Sequence, residues 1–218
     1  MEKGLHKVTD FLRNTIAGKT VYRILFQWVL VHHHKYIQGK VLDIGAGLKP
    51  SYLPYLPKNI EYLQTNYQPG EGVAVLDFNS PFPYSDNSIN TVLLFHNLYI
   101  AKDPLFVVRE AKRVLTQGGH VLIATPFVAN EMPEPHDFGR WTKEGLDAII
   151  SSAGLSRVSV VRIGERFTAI AYILHPLLFI WPIRLIINTI AIALDACIPN
   201  KIRTNYPFPI GYFYVAAK

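Results

Sequence analysis

The stretch from Lys40 to Gly47, KVLDIGAG, constrains the fold of this chain more than any other segment. An aliphatic run typical of a buried strand ends at Asp43 and is followed at once by two glycines, Gly45 and Gly47. Glycine lets the backbone turn tightly and approach a ligand where any side chain would collide with it. The pattern therefore predicts a central parallel strand whose carboxyl end meets a nucleotide-sized ligand.

Two kinds of nucleotide site begin with such a turn. A nicotinamide or flavin dinucleotide site has the pattern G-x-G-x-x-G, in which the third glycine lets the following helix pack closely on the strand. That third position is Pro50 in this chain, which argues against a dinucleotide site. An S-adenosylmethionine site needs only the acidic residue and the first two glycines.

Strand-like and helix-like segments alternate along the rest of the chain, and this order indicates an α/β fold with a parallel sheet covered on both faces. The segments predicted as strands are 61–66, 73–78, 90–96, 120–125, 158–163 and 212–217, and those predicted as helices are 103–115 and 143–153.

In this order and spacing the chain resembles the class I S-adenosylmethionine-dependent methyltransferases, in particular the UbiE-like or methyltransferase type 11 group. KVLDIGAG is similar to the first motif of that family, LDFNSPFPYSDNSINTVLLFHNL to its third motif and fourth strand, and DPLFVVREAKRVLTQGGHVLIATPF to its REAxRVLxPGG helix and fifth strand. The resemblance covers residues 38–165 and the last strand. It implies a Rossmann-like, seven-stranded, mostly parallel sheet with helices on both faces, and S-adenosylmethionine as cofactor.

The resemblance also assigns cofactor contacts to particular residues. It implies that the turn holds the methionine end of the cofactor, that the end of the second strand binds the ribose hydroxyls, and that an acidic residue after the third strand accepts a hydrogen bond from the adenine amino group. The cofactor-binding residues implied in this chain are Asp43, Gly45, Ala46, Gly47, Asn66, Asp77, Phe78 and His96.

Two positions depart from the family pattern. The ribose position is usually acidic but is Asn66 here, and an uncharged acceptor makes a weaker hydrogen bond than a carboxylate. Many relatives have Leu-Glu-His after the fourth strand, where this chain has Leu98-Tyr99-Ile100. These departures support an alternative in which the chain is a catalytically inactive scaffold that keeps the methyltransferase fold.

Candidate catalytic and acceptor-binding residues follow the fourth and fifth strands. His136 with the adjacent Asp137, or His96, could take the proton of an acceptor hydroxyl, while Arg140 and Trp141 could recognise an anionic or sugar-bearing acceptor. A similar PHDxxRxT stretch occurs in a subset of these methyltransferases, many of them tied to cell-envelope or glycan pathways. Structural roles compete with each assignment: His136 in fixing its loop, His96 in lining the cofactor pocket and Trp141 in stapling the next helix.

A long apolar segment precedes the last strand. Residues 167–183 contain no Asp, Glu, Lys or Arg, and after Arg184 the apolar sequence resumes to Leu194. Pro176, Pro182 and Arg184 interrupt it before it reaches the roughly 20 residues of a membrane span. It predicts two helical pieces lying in one membrane leaflet, with Arg166, Arg184, Lys201 and Arg203 near anionic head groups. Packing on the sheet, or a dimer interface, is the alternative.

These observations predict three parts: a helical cap at residues 1–36, a methyltransferase core at 37–165 and 208–218, and a membrane-associating helical insertion at 166–207. The chain of 218 residues has a net charge of +6 but no arginine-rich face or RNA-binding motif, so nucleic acid is not an expected partner. The consecutive His32, His33 and His34 point in different directions on a helix and cannot share a metal ion. No metal is expected, and the single Cys197 suits a reducing compartment.

The function predicted from the sequence is methyl transfer to an amphiphilic or lipid-linked acceptor, with a glycan as one possibility, at the cytoplasmic surface of a membrane. Peripheral or monotopic attachment is expected. Besides the inactive scaffold, a soluble small-molecule methyltransferase that dimerises through the insertion remains an alternative.

Overall fold

The computed structural model describes residues 2–132 and 136–218, with side chains from residue 7 onward in the first range. The chain divides into two compact units. The first unit comprises Met1–Val29 and Arg162–Gly211, and the second comprises Leu30–Val161 and Tyr212–Lys218.

In the described part of the chain, seven strands form one sheet in the order β3-β2-β1-β4-β5-β7-β6. The strands are β1 Lys40–Asp43, β2 Glu61–Asn66, β3 Ala74–Val75, β4 Ile89–Phe95, β5 Leu115–Pro126, β6 Ser156–Ile163 and β7 Gly211–Ala217.

The sheet is parallel from β3 to β5 and changes direction at β7. Val41 of β1 pairs in parallel register with Tyr62 of β2 on one side and with Thr91 of β4 on the other. The orientation of β7 follows from a hydrogen bond near the start of β5. The Gly118 N–H donates to Lys218 O at 3.2 Å, so the start of β5 lies beside the residue that follows β7. β7 is therefore antiparallel to β5, and the predicted mostly parallel, seven-stranded fold is confirmed.

Both faces of the central strands are buried. On β4, Val92 and Leu94 point to one face and Leu93 and Phe95 to the other, and all four are at most 3% exposed. Strands covered on both faces read as continuous hydrophobic runs rather than as alternating patterns. This explains why the TVLLF segment was recognisable as a central strand from its composition.

Seven α-helices accompany the sheet within the residues that the structure describes, and side-chain caps mark the starts of α3 and α4. Asp103 accepts from the Phe106 N–H at 3.0 Å and begins α3, while Thr142 accepts from the Gly145 N–H at 3.1 Å and begins α4. Gly154, at φ +74°, follows the end of α4. The helices are α1 Glu2–Ile16, α2 Val21–His32, α3 Pro104–Val114, α4 Lys143–Ser152, α5 Arg166–Leu174, α6 Trp181–Cys197 and α7 Asn200–Asn205.

Two strands differ from their predicted length by more than two residues. The third strand, predicted for 73–78, is only Ala74–Val75, because the Asp77 carboxylate accepts from the Asn79 N–H at 2.9 Å and forms a turn instead. The fifth strand begins at Leu115 rather than at His120, and the register against β4 shifts across the added residues. The carboxyl end of β5 lies within one residue of its predicted position, whereas β3 ends three residues earlier than predicted.

The first unit contains α5 and α6, which occupy the apolar segment, together with α1, most of α2 and α7. The buried Arg184 on α6 donates from Nη2 to Thr15 O at 2.7 Å and from Nη1 to Leu178 O at 3.0 Å. Asp195 accepts from the Phe167 N–H at 2.8 Å and the Thr168 N–H at 3.0 Å, capping α5. Among the described residues, no helix combines the length and the apolar character needed to cross a bilayer.

Candidate active site

The turn after β1 requires glycine at position 45. Its φ is +65°, in the left-handed region that disfavours side chains. A Cβ placed there would lie 2.8 Å from Phe78 Cζ and 3.0 Å from Asn97 Nδ2. Gly47 also has a positive φ of +75° but faces open space, since a Cβ added there would have no atom within 4 Å. Glycine is thus required at position 45 by close packing as well as by backbone conformation, and at position 47 by backbone conformation alone.

Asp43 ends β1 beneath this turn and is fully buried. Its Oδ2 accepts hydrogen bonds from Tyr52 OH at 2.8 Å and Tyr62 OH at 2.6 Å. Burial raises the pKa of the carboxyl to about 7, against the lowering effect of the two hydroxyls. Its Oδ1 has no hydrogen-bond partner within the part of the chain that the structure describes.

β2 holds the turn in place through residues that the sequence analysis did not single out. The Thr65 hydroxyl donates to Asp43 O at 2.9 Å and accepts from the Gly45 N–H at 3.2 Å. The Ala46 N–H donates to Thr65 O at 2.9 Å, and Gln64 Nε2 donates to Gly47 O at 2.5 Å. The turn is therefore bound to the neighbouring strand at four points, which preorganises its backbone for a ligand.

Asn97, directly after His96, also supports the turn and was missed from the sequence. It is 1% exposed, and its Nδ2 donates to Ile44 O. Its Oδ1 is buried without a hydrogen-bond partner among the described residues. His96 is half-buried and has a φ of +58°, a left-handed conformation uncommon for residues other than glycine. The only signal in the sequence was a second polar residue after the hydrophobic run of β4.

The ends of β2 and β3 carry the predicted ribose and adenine residues. Asn66 is 7% exposed, and its backbone oxygen accepts from the Leu76 N–H at 2.9 Å. Asp77 is exposed, and hydrogen bonds, chiefly from the Asn79 N–H, lower the pKa of its carboxyl. Phe78 is buried with its ring packed against Gly45. An ionised carboxylate is thus available at the surface on the side of the sheet where β3 ends.

The predicted acceptor-binding stretch runs from Glu134 to Thr142. Glu134 and Pro135 lie outside the described residues. His136 is exposed, and its ring centroid lies 5.3 Å from that of Phe138. The Phe138 N–H donates to Tyr99 O at 2.8 Å, which ties this stretch to the segment after β4.

Asp137 and Arg140 bind each other in this stretch. Arg140 Nη2 donates to Asp137 Oδ2 at 2.8 Å, and Nη1 donates to Asp137 Oδ1. This guanidinium lowers the pKa of the Asp137 carboxyl, which also accepts from the Met132 N–H at 2.9 Å. Arg140 further donates to Asn130 O at 2.9 Å and lies over the Tyr99 ring at 5.4 Å. Each of these contacts braces the loop in which His136 lies.

Trp141 is half-buried and packs against the core of the second unit. Its ring also lies 3.9 Å from the position of a Cβ on Gly145, in the first turn of α4. This placement matches the stapling role that competed with acceptor recognition in the sequence. Acceptor binding by Trp141 stays a prediction.

Comparison with known protein families gives a match to the middle of the chain. A family model described as a methyltransferase domain matches residues 51–123. The match supports a class I S-adenosylmethionine-dependent methyltransferase domain. The match implies S-adenosylmethionine as the cofactor. No curated protein sequence matches the chain.

Solved structures share the fold of this methyltransferase at low sequence identity. An S-adenosylmethionine-dependent methyltransferase from Mesorhizobium loti is 11% identical over 88% of this chain and 97% of its own, with a TM-score of 0.53. The YcgJ protein of Bacillus subtilis is 16% identical over 88% and 94%, with a TM-score of 0.51. A chain from the Haloferax volcanii complex of a methyltransferase with the Trm112 methyltransferase activator is 17% identical over 87% of both chains, with a TM-score of 0.54.

The residues at the turn fit S-adenosylmethionine chemically. Asp43 Oδ1 and Asn97 Oδ1 are buried acceptors without a donor among the described residues, and both belong to residues in direct contact with the glycine turn. The α-ammonium of S-adenosylmethionine supplies three N–H donors and a positive charge. A buried acceptor without a partner is costly, so a ligand that satisfies it is bound favourably.

Asp77 provides a direct test of the adenine position. We expect Asp77→Asn to weaken S-adenosylmethionine binding about tenfold, because hydrogen bonds to charged groups contribute roughly 1.5–3 kcal/mol. Isothermal titration calorimetry measures the change, with Glu71→Gln as a control that neutralises another exposed carboxylate. Equal affinity of Asp77→Asn and the parent would show that Asp77 does not contact the cofactor.

Proposed function

We propose that this methyltransferase transfers a methyl group to an amphiphilic or lipid-linked acceptor, such as a lipid-linked glycan, at the cytoplasmic surface of a membrane. The observation that carries the proposal is the exposure of large hydrophobic side chains in the first unit. Phe179 is 83% exposed and Leu177 is 70% exposed. Soluble proteins rarely leave contiguous apolar surface of this kind open to water.

The chemistry requires little covalent participation by the protein. The oxygen of an acceptor hydroxyl attacks the methyl carbon in line with the carbon–sulfur bond, which breaks and leaves its electron pair on sulfur. The products are a methyl ether and neutral S-adenosylhomocysteine, and the hydroxyl proton passes to a base. Enzyme catalysis of such a step rests on positioning the two reactants and on accepting that proton.

His136 is the candidate for the base. It is exposed and can meet an acceptor, and its loop is braced by the Asp137–Arg140 pair and by the hydrogen bond from the Phe138 N–H to Tyr99 O. Asp137 directs its carboxylate to Arg140 and to the Met132 N–H, so it supports His136 through the loop rather than by pairing with the imidazole. His96, beside the glycine turn, is the candidate for lining the cofactor pocket.

The acceptor class can be tested with radiolabelled S-adenosylmethionine. Detergent-purified protein is incubated with the cofactor and a membrane lipid extract, and the label is counted after partition between organic solvent and water. Label in the organic phase supports a lipid-linked acceptor. Label only in the aqueous phase points to a soluble acceptor, and no transfer despite cofactor binding points to an inactive scaffold.

We expect His136→Ala to lower kcat about 100-fold while leaving S-adenosylmethionine affinity unchanged, because removal of a general base affects the chemical step. His32→Ala, which removes another exposed imidazole, is the control and is expected to behave like the parent. A kcat of His136→Ala equal to that of the control would assign His136 a structural role.

A further inference from the structure

Helix α6 has an inverted burial pattern. Its buried face carries Arg184, Asn188 and Asp195, which are 7%, 1% and 8% exposed. Its exposed face carries Ile186 and Ile190, which are 58% and 52% exposed. A helix on the surface of a water-soluble domain has the opposite arrangement, with its apolar stripe facing the core. Arg184 and Asp195 therefore bind other parts of the unit through hydrogen bonds, while Ile186 and Ile190 face outward.

The outward apolar side chains continue from α6 into the turn before it. We use the name apolar surface for Leu177, Phe179, Ile180, Trp181, Ile186 and Ile190, each between 47% and 83% exposed. α1, in the same unit, adds an exposed stripe at Val8, Leu12 and Ile16, spaced four residues apart. Exposed apolar side chains thus come from α1, from α6 and from the turn before α6.

Charge is divided unequally between the two units. The first unit contains ten Lys and Arg and four Asp and Glu, whereas the second contains twelve of each. The whole net charge of +6 therefore belongs to the unit that exposes the apolar surface. Exposed cations in this unit include Arg23, Arg162 and Lys201, and residues 167–194 contain no Asp or Glu.

We propose that the first unit binds the surface of an anionic lipid bilayer, with the apolar surface at the boundary between head groups and acyl chains. The inference deepens the proposed function, on whose membrane location it rests, by naming the lipid chemistry that is recognised. Stable attachment without a spanning helix needs two signals, and this unit has both apolar burial and positive charge. Trp181 has the amphipathic ring that favours the membrane interface.

Charge also favours an anionic bilayer over two alternative binding partners, a second copy of the chain and a zwitterionic bilayer. A second copy of the chain would bring two units of net charge +6 face to face, which opposes association. A zwitterionic bilayer would satisfy the apolar surface but would leave the excess of cations without a counterpart. An anionic bilayer satisfies both features at once.

Vesicle flotation tests the inference with the full chain. We expect the protein to float with vesicles of phosphatidylcholine and phosphatidylglycerol, and to bind pure phosphatidylcholine vesicles about tenfold more weakly. Raising the salt from about 0.1 M to about 1 M shortens the Debye length from ~10 Å to ~3 Å and is expected to reduce the difference between the two vesicle types.

Paired variants separate the two signals. Phe179→Ser with Trp181→Ser is expected to lower binding to both vesicle types at least about tenfold, since each aromatic ring buries a large area. Val158→Ser, which removes a 42% exposed side chain from the second unit, is the control. Arg23→Gln with Lys201→Gln is expected to lower binding to anionic vesicles alone, with Lys58→Gln and Lys102→Gln as the controls in the second unit.

Three outcomes would overturn the inference: equal binding to both vesicle types, no binding to either, or a detergent-independent dimer that buries the apolar surface. Cofactor binding and methyl transfer to a detergent-solubilised lipid acceptor are measured on the same preparations. If they persist while anionic vesicles are ignored, this inference fails and the proposed chemistry stands. If vesicles bind but no lipid acceptor is methylated, the acceptor class is wrong and the membrane contact stands.

Discussion

Replacing Gly45 by valine is expected to weaken S-adenosylmethionine binding about 1,000-fold. A side chain at φ +65° costs about 1–2 kcal/mol, and its Cβ would lie 2.8 Å from Phe78 Cζ and 3.0 Å from Asn97 Nδ2. Relieving such overpacking typically costs a further 1–3 kcal/mol or displaces the backbone, so the combined effect is about 4 kcal/mol. The displaced segment is the one that carries the Gly45 and Ala46 N–H groups bound to Thr65. Isothermal titration calorimetry measures the affinity.

Gly118→Val is the matched control for this substitution. Gly118 has a φ of +77°, with no atom within 4 Å of a Cβ, so it shares the backbone strain but not the crowding. It lies near the amino end of β5, whereas the glycine turn follows the carboxyl end of β1, and its N–H donates to Lys218 O. We expect this variant to lose stability while binding the cofactor as the parent does. If both valine variants bind equally well, close packing at Gly45 is irrelevant to the cofactor.

Asp43→Asn is expected to remove a pH dependence from the stability of the cofactor-free protein. Burial raises the pKa of Asp43 to about 7, whereas an unfolded chain has an aspartate pKa of about 4. Between these values the folded state binds the proton more tightly than the unfolded state does. The free energy of unfolding of the parent should therefore fall as pH rises toward 7 and level off above it.

The size of the change in the free energy of unfolding depends on the pH interval over which it is measured. From about pH 5 to about pH 8, the parent should lose about 3 kcal/mol of stability relative to Asp43→Asn. Urea unfolding at several pH values measures the difference. Asp77→Asn, which removes an exposed carboxylate, should keep the slope of the parent. Parallel profiles for the parent and Asp43→Asn would mean that Asp43 ionises freely in the folded protein.

The sequence predicted the parts of the fold that depend on local chemistry. Asp103 and Thr142 accept hydrogen bonds from backbone N–H groups three residues later, so the starts of α3 and α4 could be read from residue type. The β1 and β4 strands were recognisable because both of their faces are buried. The third strand was overestimated, because the turn formed by the Asp77 carboxylate competes with strand pairing in a way that hydrophobicity does not register.

The site was predicted less completely than the fold. A motif names the residues that approach the ligand, such as Gly45, but not those that hold the motif in place. Thr65 and Asn97 lie 20 and 52 residues beyond Gly45 in the chain and reach the turn only through the pairing of β1 with its two neighbouring strands. Asp137 was predicted beside His136 from adjacency in sequence, but its side chain binds Arg140, three residues away.

The orientation of α6 could not have been predicted from hydrophobicity. The rule that apolar side chains face the core would bury Ile186 and Ile190 and expose Arg184 and Asp195. The structure has the reverse, because Arg184 finds the carbonyl oxygens of Thr15 and Leu178 and Asp195 finds the first N–H groups of α5. Tertiary partners distant in the chain decide which face of this helix is buried.

The position of β7 has a consequence for biosynthesis. This strand follows α5, α6 and α7 in the chain but lies between β5 and β6 in the sheet. On a nascent chain, β6 therefore has no neighbouring strand to pair with until β7 has left the ribosome, whereas all three helices have emerged by then. The three helices would therefore leave the ribosome before the sheet is complete. The last strand of the methyltransferase would pair only after the helices that carry the apolar surface have emerged.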